Sequence, residues 1–251
     1  MQYFGVFKTK YEEVFLTESY LYISCDKDDE ITVKDLKEKI KTNKLKKKNI
    51  IGTIFLYNPI VSPVGYDSNK FLLEQEFDKF DEMIELKIET YMTVFKNAMS
   101  KTDEIKGKLI QVRNLFNLNE KNIDSSQLLM KFNDDLEKYN SLQNTEFDRD
   151  IMYLDAQNLI PSGKFVFFSW GEKINGKEFI YIDDYARLIY ENCKKLGKKI
   201  AFVYKEEKSL EGAEQLLQFA TPMQNIKTKN SITSAINECF KVFPPKISPY
   251  K

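Results

Sequence analysis

The sequence predicts an α/β fold built on a parallel sheet buried on both faces, and three observations carry that reading. Four short apolar runs, residues 50–57, 108–113, 165–169 and 200–204, are rich in Ile, Val and Phe and barely alternate. Long stretches of helical periodicity separate them. Each run breaks at its far end, into Asn58-Pro59, Asn114, Trp170-Gly171, and Lys205 with two glutamates. Such runs are strands with helices on both sides, and in such sheets ligands bind at the carboxyl ends.

The elements follow in chain order. Residues 3–7 and 20–24 read as short β segments, an edge hairpin or a lid over the sheet. Thr32 caps a helix over 32–41, with Asp35 three residues on as a capping-box partner. After the first sheet strand, a loop holds Asn58, Pro59, Pro63, Gly65 and Asp67. Leu73, Phe77, Phe80, Ile84, Ile88, Tyr91 and Phe95 then recur at three- and four-residue steps, which predicts a long helical segment at about 69–106 with one apolar stripe turned to the core. Gly107 ends it. Helices are expected over 125–139 and 147–159, and Pro161-Ser162-Gly163 turns the chain into the third strand. Asp183 or Asp184 caps a helix that stops at Gly197, where Lys194 and Lys195 complement the dipole. Helices over 210–219 and 231–242 complete a single α/β domain spanning 1–251, and no linker or repeat divides it.

Composition excludes several chemistries. The chain has 38 basic and 38 acidic residues, so net charge announces no polyanionic partner. Lysine clusters at 44–48, 194–199 and 227–229 read first as solvated surface. With no histidine, Ser-His and Cys-His catalysis are impossible, and no close cysteine pair offers a zinc site. Cys25, Cys193 and Cys239 are odd in number and far apart, which predicts reduced thiols and a cytoplasmic protein. No apolar stretch reaches the roughly 20 residues of a membrane helix. Neither a cofactor, a metal nor a membrane is expected.

What remains is amide and aromatic chemistry. Asn58-Pro59 after a strand is a turn by itself, because proline cannot continue a sheet. Asn114 stands at the equivalent end of the next strand and Trp170 at the third. Two carboxamides and an indole around one pocket would read the edge of a nucleobase and stack on its face, although a lone tryptophan also fills cores. Asp67 offers a carboxylate for an oxocarbenium-like sugar or a water, and equally a cap for the helix after Asn69. Tyr57 and Tyr66 flank the loop as pocket walls. Arginine is the better fork for phosphate, and Arg113 adjoins the candidate site.

These segments resemble the uracil-DNA glycosylase superfamily: a strand then Asn58-Pro59, a strand ending Asn114-Leu115-Phe116, and 165–171 reading FVFFSWG. They look still more like a bacterial and phage domain of unknown function related to it, with N-P-S, N-L-F and A-W-G strand ends. The Asn-Pro form is similar to the mismatch-specific thymine/uracil branch. The resemblance spans about 50–222 and rests on about ten specific letters.

It implies a three-layer α/β/α sandwich with a central, mainly parallel four-stranded sheet plus a short N-terminal β segment, and base excision from DNA. By position, Asn58 would place the hydrolytic water, Asn114 would bond the flipped base, and Asp67 matches an acidic position in the relative of unknown function. Arg113 and Lys205 would meet the DNA backbone. Thr221-Pro222 falls where the family carries a His-Pro motif, so Thr221, a backbone amide or Lys205 would replace the missing histidine. That departure points away from uracil to a modified base, such as glucosylated hydroxymethylcytosine of phage DNA, and to a monofunctional enzyme of antiphage defence. The alternative is a nucleotide- or nucleoside-binding module on the same fold, a sensor or sponge.

Overall fold

The computed structural model describes residues 1–10, 13–24, 29–46, 49–59, 61–65, 82–88, 105–119, 158–170 and 180–202, with 127, 130–134, 137 and 156. Its elements are β1 (Gln2–Lys10), β2 (Glu13–Tyr22), α1 (Val33–Lys46), β3 (Ile50–Leu56), β4 (Ile84–Leu86), β5 (Leu109–Asn114), β6 (Phe165–Phe168), α2 (Ile180–Lys195) and β7 (Lys199–Phe202). The strands form one mixed sheet in the order β4-β1-β2-β5-β3-β6-β7.

The four apolar runs become β3, β5, β6 and β7, which lie in one direction. β3 pairs in parallel with β5 on one edge and β6 on the other, and β6 pairs with β7. Side chains alternate between the faces. Ile54, Leu56, Ile110, Val112, Phe165 and Phe167 are buried in one cluster, and Phe55, Val166 and Phe168 in another. Burial on both faces explains why β3 and β6 do not alternate in polarity.

The amino-terminal segment corrects the sequence reading. It is neither short nor a lid: β1 and β2 form a long antiparallel hairpin, and β2 pairs antiparallel with β5 inside the sheet. Seven strands, with as many antiparallel as parallel neighbours, therefore replace the mainly parallel four. The hairpin extends the sheet because β5 would otherwise present an open ladder of N–H and C=O groups.

The long helix expected over 69–106 is also corrected, since Ile84–Leu86 is strand β4, antiparallel to β1. Ile84, Leu86 and Ile88 fit a period of two as well as a helical step, and pairing with the β1 edge decides between them. Gly5 of β1 admits the pairing: a Cβ there would lie 2.6 Å from Leu16 and 2.8 Å from Leu86. The rest of that segment, the helices expected over 210–219 and 231–242, and most of 125–139 and 147–159 lie outside the described residues. Residues 127, 130–134 and 137 are helical, whereas 158 and 159 are not.

Both described helices follow local signals. Thr32 Oγ1 accepts the Asp35 N–H at 3.2 Å and donates to the Asp35 carboxylate at 2.6 Å, the expected capping pair, and α1 runs on to Lys46. Its Leu36 and Ile40 pack on Tyr20, Tyr22, Ile50 and Leu109. α2 starts earlier than expected, so Asp183 and Asp184 lie within it, and the Asn133 side chain accepts the Tyr181 N–H at 3.3 Å near its start. Its stripe of Ile182, Tyr185, Ala186, Ile189 and Cys193 packs with Val166 and Phe168. Gly197, at φ 66°, ends it as expected: Gly197 N–H donates to Lys194 C=O and Lys198 N–H to Cys193 C=O, a Schellman pair.

Gly163, at φ 73°, turns the chain into β6 against the β3 backbone, where a Cβ would come within 2.1 Å of the Ile51 carbonyl carbon. Gly197 has open space around the same position. Gly163→Ala should therefore cost about 3 kcal/mol or more in denaturant unfolding, and Gly197→Ala only about 1 kcal/mol. Equal losses would show that β3 yields to the added methyl.

Candidate functional site

The order of the four parallel strands determines where a ligand can enter. In chain order the parallel strands run β3, β5, β6 and β7, with edge strand β4 formed between β3 and β5, and β5 and β6 lie on opposite sides of β3. In sheets of this kind a reversal of strand order marks where ligands bind, and here it falls at the carboxyl ends of β3 and β6. Asn58, two residues past β3, and Ser169-Trp170, just past β6, stand at those ends.

Backbone hydrogen bonds hold the tips together. Leu115 and Phe116 N–H groups donate to the Leu56 and Tyr57 carbonyls at 2.9 and 3.0 Å, and Ser169 N–H donates to Phe55 C=O at 2.8 Å. Tyr185 of α2 donates its hydroxyl to Leu115 C=O at 3.0 Å. Asn58 is half-buried, and its side chain donates to the Pro59 carbonyl at 3.4 Å. That contact is long and local, so it leaves the carboxamide available for other work.

The pleat separates the other expected site side chains. Asn114 pairs with Leu56 and by alternation shares the face of Ile110 and Val112. It is 2 % exposed, and its Oδ1 has no hydrogen-bond partner among the described residues. Trp170 and Tyr57 turn to the α2 face instead. Trp170 lies 4.7 Å from the Phe168 ring and 6.5 Å from Phe55, and Tyr57 meets Phe116 and Phe132 edge-on at 5.4 and 6.4 Å. Trp170 thus packs as core, and the structure does not gather both carboxamides and the indole on one face. The strand tips converge, but these side chains diverge.

Asn119 governs the loop after β3, and the sequence reading did not single it out. Its side chain accepts the Val61 N–H and donates to the Val61 carbonyl, both at 2.9 Å. The chain then reaches β4, where Val64 N–H donates to Glu85 C=O and Lys87 N–H to Ser62 C=O. Any return of the loop toward Asn58 starts from that edge. Tyr66 and Asp67, the next positions, lie outside the described residues, as do Thr221 and Lys205.

Arg113 faces away from Asn114. It lines a cleft of about 440 Å³ on the α1 face, with Lys8, Glu18, Tyr20, Gln111 and Ser162 among its walls. The sequence reading did not single out this cleft; the signal that could have found it is Gln111, a polar residue inside an apolar run. The Gln111 Oε1 accepts from Thr53 Oγ1 and from Ser162 N–H, both at 3.3 Å. Among the described residues no cluster of His, Cys, Asp and Glu could hold a metal ion, and no helix is long and apolar enough to cross a membrane.

Burial alone pushes Tyr57 well above the ordinary tyrosine value of 10.0, and its hydroxyl has no partner among the described residues. Burial also pushes the Cys193 thiol from 9.0 up to about 12, opposed by the Lys198 charge. A raised acid holds its proton in the folded state, so its stabilising contribution is complete below the unfolded value and is lost as pH climbs. Stability should fall above pH 9 to 10. Tyr57→Phe should make that fall shallower and leave neutral-pH stability unchanged or higher by ~1 kcal/mol, measured by urea unfolding across pH. A neutral-pH loss of several kcal/mol would mean that the hydroxyl is bonded after all. In comparisons with known proteins, no family model, no curated protein and no solved structure matches this chain.

Proposed function

We propose that the chain is a monofunctional DNA glycosylase that hydrolyses the N-glycosidic bond of a modified base, with Asn58 positioning the attacking water. One observation carries the proposal: Asn58 follows β3 in a β5-β3-β6-β7 parallel set, at the point where strand order reverses. Asn114 ends the adjacent strand with a buried carbonyl oxygen that has no partner among the described residues, a group able to accept a hydrogen bond from a base edge. The three-layer arrangement belongs to this proposal, supported by burial on both sheet faces.

In the proposed reaction a flipped nucleotide enters at the ends of β3 and β6. Water held by the Asn58 carboxamide adds to the sugar as the bond to the base breaks, and Asp67 stabilises the oxocarbenium-like sugar. The leaving base carries away the bonding pair and takes up the proton that the water loses. With no histidine, its charge falls to Thr221, a backbone amide or Lys205. A base that leaves more readily than uracil, or that is recognised by a different pocket, fits that weaker assistance, and glucosylated hydroxymethylcytosine in phage DNA is the proposed example. Lys205 completes the proposal as a contact to DNA phosphates, whereas Arg113, expected in the same role, lines the cleft on the α1 face.

Duplex and single-stranded oligonucleotides carrying a panel of modified bases test this. Abasic sites should form with at least one base, and Asn58→Ala should lower the rate by about 100-fold or more. If no base in the panel is released, the enzyme reading fails. The missing histidine favours a second reading, a nucleotide- or nucleoside-binding module at the same strand ends. Mass spectrometry of material carried through purification separates the two, because an intact nucleotide indicates capture and a free base indicates cleavage.

A further inference from the structure

The cleft on the α1 face is separate from the strand tips. Its floor is the pleated surface of β1, β2 and β5, and its rim includes Ile40 of α1, Ile50, Ile160 and Ser162. At about 440 Å³ it is within the roughly 300–1,000 Å³ range of small-molecule sites. Its walls are well packed: Tyr20, Gln111 and Ile50 are each 5 % exposed or less, and Gln111 is bonded to Thr53 and Ser162.

Charge defines what could enter. Lys8 and Arg113 line the cleft against one carboxylate, Glu18, and the Glu18 Oε1 already accepts the Tyr20 hydroxyl at 2.6 Å. The Arg113 Nε is shut off from solvent with no hydrogen-bond partner among the described residues. An excess of one positive charge among the described lining residues, with a guanidinium fork in a cleft that Val6, Ile40 and Ile50 also line, suits a single carboxylate on an apolar body. A phosphate dianion would bring a second negative charge beside Glu18.

We propose that this cleft binds a small organic monoanion, a carboxylate with an apolar body, through Arg113 and Lys8. The apolar part lies against Ile40 and Ile50, and Gln111 and Ser162 border the polar end. The site does not depend on base excision, and its test does not use DNA.

Titration calorimetry with benzoate, benzyl alcohol and inorganic phosphate at fixed ionic strength tests the assignment. Benzoate should bind at one site, with benzyl alcohol and phosphate each weaker by about tenfold or more, and Arg113→Gln should cost benzoate about tenfold. Lys8→Gln, at an exposed position, should weaken benzoate by about two- to threefold. Benzyl alcohol or phosphate binding as tightly as benzoate, no benzoate binding at about 50 mM, or an unchanged affinity in a folded Arg113→Gln protein would each overturn the proposal. If Arg113→Gln does not fold, the three-ligand comparison on the native protein decides.

Discussion

Strand β3 is the constraint on which the rest depends. Parallel neighbours hydrogen-bond both of its edges, so its direction fixes those of β5, β6 and β7, and its carboxyl end fixes where Asn58 stands. Two glycines make that packing feasible. At Gly52 a Cβ would lie 2.3 Å from the Phe165 ring, and Gly163 sits against the β3 backbone itself. A side chain at either point would push β6 off β3 and displace their carboxyl ends.

The parallel strands were legible because double-sided burial leaves a signature: IIGTIFL and FVFF carry one polar side chain between them, Thr53, although Gln111 and Arg113 interrupt LIQVRN. The start of α1 and the stop of α2 were legible for a local reason as well, since Thr32 with Asp35 and Gly197 act within one turn. β4 was not. Its three residues fit two periods at once, and only the distant partner β1 selects the strand. The amino-terminal hairpin was detected as β structure but misjudged in rank, because nothing local in 13–22 records pairing with residues 109–112.

Side-chain direction was harder to read than strand position. Asn58, Asn114 and Trp170 mark three carboxyl ends, and those ends do assemble. Whether their side chains face one hollow depends on the pleat and on local packing beyond the strand. Trp170 finds Phe168 and Phe55 within ring-contact distance and is 2 % exposed, so aromatic burial sets its direction. A base-stacking face would have to give up that packing. The amides face no such competition, which leaves Asn58 and Asn114 as the more informative pair.

Strand β5 illustrates how one register can serve two sites. Arg113 and Asn114 are consecutive, so the pleat sends them to opposite faces, one to the cleft beside Glu18 and Tyr20 and the other to the face of Leu56. A slip of one residue would exchange them, burying a guanidinium among Ile54, Leu56 and Val112 and opening an apolar face to the cleft. Ile110 and Val112 resist that slip by burial. Gln111 resists it by chemistry, because its bonds to Thr53 and Ser162 exist in only one register. The same glutamine that interrupts the apolar run therefore keeps the cation and the carboxamide on their separate faces, and a polar residue inside a buried strand acts here as an alignment device.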